Sequence, residues 1–246
     1  MPAALLNKPK PLTSWSYSRY ALYKKCPAQF NYKHILKLGT EQSSPALEHG
    51  NAVHKEFELY LKGQGRSPPK SLGDFGKEAK AIRETAKKTP EHAVIEDTWA
   101  LRRDWTWTRW DDWSFCWVRI KLDAAHIESH DGKPMARVTD LKTGKFRLQD
   151  NAEYELQLEL YALGALLKWK DLLTQGLTVK PRLAYVDQGI VHETKTYSGA
   201  DLEPLKKQWE GRVKPMFADK TFKPTPTEFA CRYCEFSKSK GGPCKF

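Results

Sequence analysis

Two β-prone runs, SFCWVRIKLDAAHI (114–127) and ARVTDLKTG (136–144), flank the dipeptide Asp131-Gly132. Asp-Gly is favoured in two-residue hairpin turns, because both turn positions need a positive φ. The runs therefore read as an antiparallel hairpin that brings Asp123 and Asp140 close together. In VTDLKTGK (138–145), Asp140 and Lys142 stand two residues apart, so their side chains leave the strand on one face. A carboxylate and an ammonium then share the space that Asp123 enters. Hard oxygen ligands suit Mg²⁺ or Mn²⁺, and a cation beside an attacking water stabilises developing negative charge. The triplet fits metal-assisted phosphodiester hydrolysis, and by itself it equally fits a surface strand with a salt-bridging lysine.

The patterns around the hairpin are mostly helical. Residues 1–12, rich in Pro and Lys, read as a flexible arm. Thr13, Ser14 and Ser16 offer capping hydroxyls ahead of a first helix from Tyr17 to Cys26. A second runs from Ser44 to Leu61, with Val53, Phe57, Leu59 and Tyr60 at helical spacing and Gly63 and Gly65 to end it. After a polar linker through Pro68-Pro69, residues 74–88 read as a charged surface helix. VIEDTWALR, WTWTRW and SFCWVRIKLDAAHI, between Ala93 and Ile127, have strand texture. A clear helix from Ala152 to Trp169, a strand in PRLAYVD (181–187) and a helix over 201–217 precede TFKPTPTEF and a cysteine tail. The expected fold is α/β, a central mixed sheet flanked by helices, with N-terminal helices and a C-terminal cysteine segment. The domain expected is a single one over 13–246, divided into a helical part (13–92), a core (93–217) and a cysteine-bearing segment (218–246).

A hydrophobic fraction of 40% in 246 residues supplies an ordinary core, which excludes a wholly disordered or fibrous chain. A net charge of +11 favours a polyanionic partner, either nucleic acid or an acidic membrane surface. Apolar stretches such as Tyr161 to Leu167 fall well short of the roughly 20 residues a membrane-spanning helix needs. A soluble protein without membrane association is therefore expected. The N-terminus lacks the basic-then-apolar order of a secretory signal, and five cysteines do not make a complete disulfide framework. Both observations point to a reducing cytoplasm.

The D-x-K triplet keeps informative company. Gly50-x-x-x-His54, Asp123, Asp140-x-Lys142 and Gln157-x-x-x-Tyr161 follow one another in chain order. In this the chain resembles the RecB-like branch of the PD-(D/E)XK nuclease superfamily, over most of its length from SYSRYALYKKCPAQFNYKHI (16–35) to the last cysteines. It is similar to phage recombination exonucleases and to CRISPR-associated iron–sulfur adaptation exonucleases. The resemblance implies a restriction-endonuclease-like core and a Mg²⁺- or Mn²⁺-dependent deoxyribonuclease, an exonuclease of recombination, repair or phage DNA metabolism. It implies that His54, Asp123, Asp140 and the backbone carbonyl of Leu141 hold the metal, with Lys142 as the catalytic lysine. It further implies that Gln157 and Tyr161, one helical turn apart, orient the site and contact the DNA backbone. Besides DNA, a homo-oligomer or a recombination-protein partner is compatible with it. Glu96, in VIEDTW, falls where some members carry an extra acidic group and receives no role; His126 is not expected to be a ligand.

Cys231, Cys234 and Cys244 form C-x₂-C-x₉-C, and Cys26 lies far upstream. Four thiolates satisfy either a [4Fe–4S] cluster or a tetrahedral Zn²⁺. In the resembled nucleases one cysteine before the core and three after it hold an iron–sulfur cluster, which implies that Cys26, Cys231, Cys234 and Cys244 do so here. The nine-residue last spacing is longer than is common there, so zinc, or free thiols with no metal, stay open. Cys116 alternates with strand core residues and reads as buried and inert.

Arg102, Arg103, Lys142, Lys145 and Arg147 flank the proposed site in sequence and suit phosphate contacts rather than base reading. The Trp-rich WTWTRWDDW (105–113) fits stacking on unpaired bases, and equally cross-strand packing in a hairpin. The rival functional reading is a non-catalytic DNA-binding or adaptor protein on the same fold, marked by erosion of the acidic and lysine positions; none is eroded here. A zinc-binding transcription factor lacks both the histidine partner and the recognition-helix pattern.

Overall fold

The computed structural model describes residues 12–39, 43–147 and 151–246. The predicted arm, but for residue 12, lies outside them. The chain forms two compact units: one gathers the described residues of Met1–Gln42, Leu101–Arg119 and Trp209–Phe246, the other Ser43–Ala100 and Ile120–Gln208. No helix among the described residues is long and apolar enough to cross a membrane.

In the first unit, helix α1 (Tyr17–Lys25) starts where the hydroxyls foretold, with Ser16 Oγ accepting from the Arg19 N–H at 3.4 Å. Helix α2 (Pro27–Phe30) and a π-helical turn (Asn31–Ile35) follow. Trp15 is fully buried, stacked on Trp209 at 5.3 Å and edge-on to Trp117 at 5.5 Å. Its backbone bridges to Val118.

In the second unit, α3 (Pro45–Leu61) is capped by Ser44, whose hydroxyl accepts from the Leu47 N–H at 3.2 Å. Gly63, at φ +101°, closes the helix in a conformation that side-chain-bearing residues resist. Helix α4 (Gly76–Lys88) turns Gly76, Ala79 and Ile82 inward and leaves its charges outside. Val53, Phe57, Tyr60 and Leu61 of α3 pack with Ile82 of α4 onto Ala124, Leu141 and Ala184 of the sheet.

The strands are β1 (Ala93–Leu101), β2 (Trp107–Thr108), β3 (Val118–His130), β4 (Lys133–Lys142), β5 (Thr178–Tyr185), β6 (Ile190–Glu193) and β7 (Tyr197–Ser198). Among the described residues they form one seven-stranded mixed sheet, ordered β2-β1-β3-β4-β5-β6 with β7 on β5, and helices flank it. The β3–β4 turn is the predicted one: Asp131 and Gly132 sit at φ +51° and +74° between paired His130 and Lys133. That antiparallel ladder runs as far as Ala124 opposite Thr139. β4 then pairs in parallel with β5, Asp140 beside Leu183 and Lys142 beside Tyr185. Helix α5 (Asn151–Lys168) makes the crossover between them and packs on both.

The strand expectation for WTWTRW is met only at Trp107–Thr108, and β3 starts at Val118 rather than Ser114. Aspartates explain the difference. Asp104 accepts from the Thr106 N–H and hydroxyl at 3.0 and 2.6 Å, and Trp105 takes φ +64°. Asp112 accepts from the Phe115 N–H at 3.1 Å. Such local acceptors offer the backbone turns instead of a ladder. Helix α6 (Leu202–Ala218) and the short α7 (Glu228–Arg232) complete the chain.

Candidate active site

The site belongs to the second unit and begins where the β3–β4 ladder ends. The Leu141 N–H donates to Asp123 Oδ2 at 2.7 Å, a side-chain acceptor in place of a neighbouring strand's carbonyl. This fixes the Asp123 carboxylate beside β4 and leaves its Oδ1 for other partners. His54, near the middle of α3, brings Nδ1 to 3.1 Å from that Oδ1 and to 3.7 Å from Glu96 Oε1. Gly50, one turn earlier on α3, is the glycine of G-x-x-x-H; a Cβ there would lie 3.2 Å from Thr143 Oγ1, so the helix runs close to the chain just beyond Lys142.

Glu96 is the residue that sequence reasoning set aside. It sits within β1 at φ +43°, a left-handed conformation that costs a non-glycine residue free energy and recurs at functional sites. Its side chain is only 10% exposed, and its Oε1 is buried without a hydrogen-bond donor. Its Oε2 lies 3.3 Å from Lys121 Nζ. His54, Glu96 and Asp123 each offer a ligand atom within 4.8 Å of the others, the one such group among the described residues. A nitrogen and hard carboxylate oxygens, one of them lacking a donor, fit a divalent cation of the Mg²⁺ or Mn²⁺ kind. The usable signal in the sequence was an acidic residue amid a β-prone run; its aim depends on the reversed φ.

Asp140 is fully drawn into the protein beside this group. Its Oδ2 meets Lys142 Nζ at 2.5 Å, and its Oδ1 accepts from the Tyr161 hydroxyl at 3.3 Å and from Gln157 Nε2 at 3.4 Å. Gln157 Nε2 also donates to the Tyr161 hydroxyl at 2.6 Å. Tyr161 is thus both core, at 6% exposed, and hydrogen-bonded to the site. The Lys142 ammonium further lies 4.8 Å from the centre of the Tyr154 ring. Leu141, buried between Asp140 and Lys142, is tied to Asp123 through its N–H.

The electrostatics follow from burial and crowding. The Asp123 carboxylate and then that of Glu96, both beside the ring, hold the His54 imidazole up at about 10, against the opposing effect of burial. Burial raises Asp140, with the Asp123 charge adding to it and Lys142 opposing. Burial pulls Lys142 down, but the Asp140 carboxylate outweighs it and leaves the ammonium above its ordinary value. His126, which is not in the group, is buried and pushed down to about 4 by desolvation and then by Arg182.

In the first unit Cys26, Cys231, Cys234 and Cys244 line a single narrow cavity together with Tyr32 and Phe236. Their sulfurs do not gather as the His54 group does: among the described residues no three lie within 4.8 Å of one another. A backbone bond from the Cys244 N–H to the Phe236 carbonyl at 3.0 Å and one from the Cys234 N–H to the Cys231 carbonyl at 3.2 Å shape the tail. Cys116 is buried apart from them, and burial pushes its thiol up.

A model of the PD-(D/E)XK nuclease superfamily matches residues 14–239. No curated protein sequence matches the chain. Among solved structures, SSO0001 is similar at 16% identity and TM-score 0.44, over 96% of this chain and 89% of that one. A provisionally named exonuclease from Eubacterium rectale is similar at 12% identity and TM-score 0.45, over 95% and 89%.

Proposed function

Because this chain belongs to the PD-(D/E)XK nuclease superfamily, whose model takes in segments of both units, we propose that it is a divalent-metal-dependent deoxyribonuclease, an exonuclease acting in recombination, repair or phage DNA metabolism. The RecB-like order of motifs supports that branch, and the same span supports reading 13–246 as one nuclease domain. A single observation carries the activity: the His54, Glu96 and Asp123 ligand atoms lie within 4.8 Å of one another, with Asp140 and Lys142 paired at 2.5 Å on the neighbouring strand.

His54, Asp123 and Asp140, with Glu96 and the Leu141 carbonyl, would hold Mg²⁺ or Mn²⁺. When bound, such an ion supplies Lewis acidity and a more acidic water at the scissile phosphate. Asp140 is oriented for this by Gln157 and Tyr161, whose hydrogen bonds occupy its Oδ1. Lys142, with a pKa above its ordinary value, stays protonated at neutral pH. Its ammonium would assist the attacking water by donation and stabilise the negative charge that develops on the phosphoryl oxygens. Both amide hydrogens of Gln157 go to Asp140 and to the Tyr161 hydroxyl, so contact with the DNA backbone would exchange one of these bonds for a phosphate oxygen. The one-plus-three order of Cys26, Cys231, Cys234 and Cys244 is what supports a [4Fe–4S] cluster that would tie residue 26 to the tail, with Zn²⁺ as the alternative.

The test is digestion of 5′- and 3′-labelled single- and double-stranded DNA with Mn²⁺, with Mg²⁺ and with EDTA. Metal-dependent cleavage is expected, and Lys142→Ala should slow it by roughly 10²–10³-fold, as loss of one transition-state charge partner does. Calorimetric Mn²⁺ binding should survive in that variant. Cleavage by Lys142→Ala at the parent rate would overturn the site, and no cleavage with either metal would overturn the activity.

A further inference from the structure

The segment Leu101–Arg119, within the first unit, displays aromatic rings that a chain ordinarily buries. Trp110, Trp113 and Phe115 are 38%, 69% and 64% exposed. A cluster of exposed rings of this size marks an interaction surface. The rings are also backed by cations. The buried Arg119 guanidinium lies 4.6 Å from the Trp113 ring centre and 5.3 Å from that of Trp110, and Arg102 lies 5.7 Å from Phe115. Arg119 Nη2 donates to the Trp110 carbonyl at 3.0 Å, which locks the ring-bearing backbone to the start of β3.

The acidic residues of the segment are engaged within it and hold its turns. Asp112 accepts from the Thr108 hydroxyl at 2.5 Å and from the Phe115 N–H at 3.1 Å. Asp111 takes the Arg109 fork at 2.9 and 2.6 Å, and Asp104 takes Thr106. Rings held in place in the free protein cost little ordering on binding. An open cleft of about 540 Å³ beside them is lined by Arg102, Trp107, Thr108, Arg109, Asp111 and Asp112.

Flat rings alternating with guanidinium groups match one polymer chemistry: planar bases joined by anionic phosphates. A duplex keeps its base faces stacked on one another, so only an unpaired strand can offer them. We propose that this surface binds single-stranded DNA, with Trp113 and Phe115 as stacking platforms for unpaired bases, Trp110 and Arg119 as their support, and the exposed Arg102 beside the phosphates. It rests on the nuclease reading only for the choice of DNA as the polymer.

Binding of a short fluorescein-labelled oligothymidylate is measured by anisotropy, in EDTA and over a series of salt concentrations. The variant Trp113→Ala/Phe115→Ala should bind at least about 30-fold more weakly than the parent, the loss of two base–ring stacks. Its salt dependence should be unchanged, since no phosphate contact is removed. An abasic strand should bind the parent as weakly as oligothymidylate binds the variant, and duplex affinity should not respond to the substitutions. Trp113→Phe/Phe115→Trp, which keeps two rings, should restore binding and separates stacking from a fold defect. Equal affinity of parent and double-alanine variant for oligothymidylate, or an equal loss on the abasic strand, would overturn the proposal and leave the patch to a protein partner. Cleavage is read separately in Mn²⁺, so binding without cleavage rejects the nuclease reading alone, and cleavage without ring-dependent binding rejects this inference alone.

Discussion

Gly164→Ala tests whether close approach of α5 to the sheet sets the geometry of the site. Gly164 lies three residues beyond Tyr161, and a Cβ built on it would stand 2.7 and 2.8 Å from Trp99 Cε3 and Cζ3 and 3.1 Å from Ile120 Cδ1. Carbon atoms prefer about 3.5–4.0 Å, so the helix or the indole must give by roughly 1 Å. The indole resists, because Trp99 is 2% exposed and its Nε1 donates to Asp97 Oδ2 at 3.0 Å. Overpacking of this kind costs about 1–3 kcal/mol, while replacing a helical glycine by alanine returns about 0.8–1 kcal/mol. The net is a loss of up to about 2 kcal/mol. Gly211 in α6 is the control: a Cβ there meets nothing within 4 Å, so Gly211→Ala should gain up to about 1 kcal/mol. Urea denaturation of both variants measures the contrast. Retreat of α5 would also stretch the 3.3 and 3.4 Å bonds from Tyr161 and Gln157 to Asp140, so turnover at saturating DNA should fall in Gly164→Ala and not in Gly211→Ala. If the two variants are equally stable and equally active, the close approach does not govern the site.

Glu96→Gly should relieve the φ of +43° and stabilise the fold by about 1 kcal/mol while weakening Mn²⁺ binding; a variant that binds Mn²⁺ like its parent removes Glu96 from the ligand set. His126 is held at about 4 in the folded protein, below its ordinary 6.5, so the unfolded chain takes up its proton first and stability falls as pH drops from about 6.5 toward 4. The full effect is about 3 kcal/mol, and His126→Gln should flatten that limb of a stability–pH curve; an unchanged limb refutes the assignment. Protein purified without oxygen should be brown and carry iron and acid-labile sulfide, and Cys26→Ala should lower Tm as much as Cys234→Ala. Stoichiometric zinc would reassign the four ligands, and metal-free protein with a stable Cys26→Ala variant would reject the staple.

Much of this protein is local in origin and was legible in its sequence. Asp131-Gly132 set the β3–β4 turn, and the two-residue period of a strand put Asp140 and Lys142 on one face. The hydroxyls ahead of Tyr17 announced α1, the spacing of Val53, Phe57 and Tyr60 announced α3, and four-residue spacing aligned Gln157 with Tyr161 on α5. These features depend on backbone geometry within a few residues, which composition and spacing encode directly. Other features depend on partners far along the chain. Glu96 joins His54 and Asp123 only because its backbone reverses φ inside a strand, which no periodicity records. The Trp-rich run pairs with β1 only at Trp107–Thr108 and buries Trp105 against Trp117, while the rest turns aside because Asp104 and Asp112 captured its N–H groups and hydroxyls. The Tyr161 hydroxyl reaches Asp140 because α5 can lie close to the sheet, which it does where Gly164 has no side chain to hold it away from Trp99. Local dihedral preference chooses the elements; the distances at which a carboxylate meets an imidazole, an ammonium or a hydroxyl are set by packing, which exists only in the folded chain.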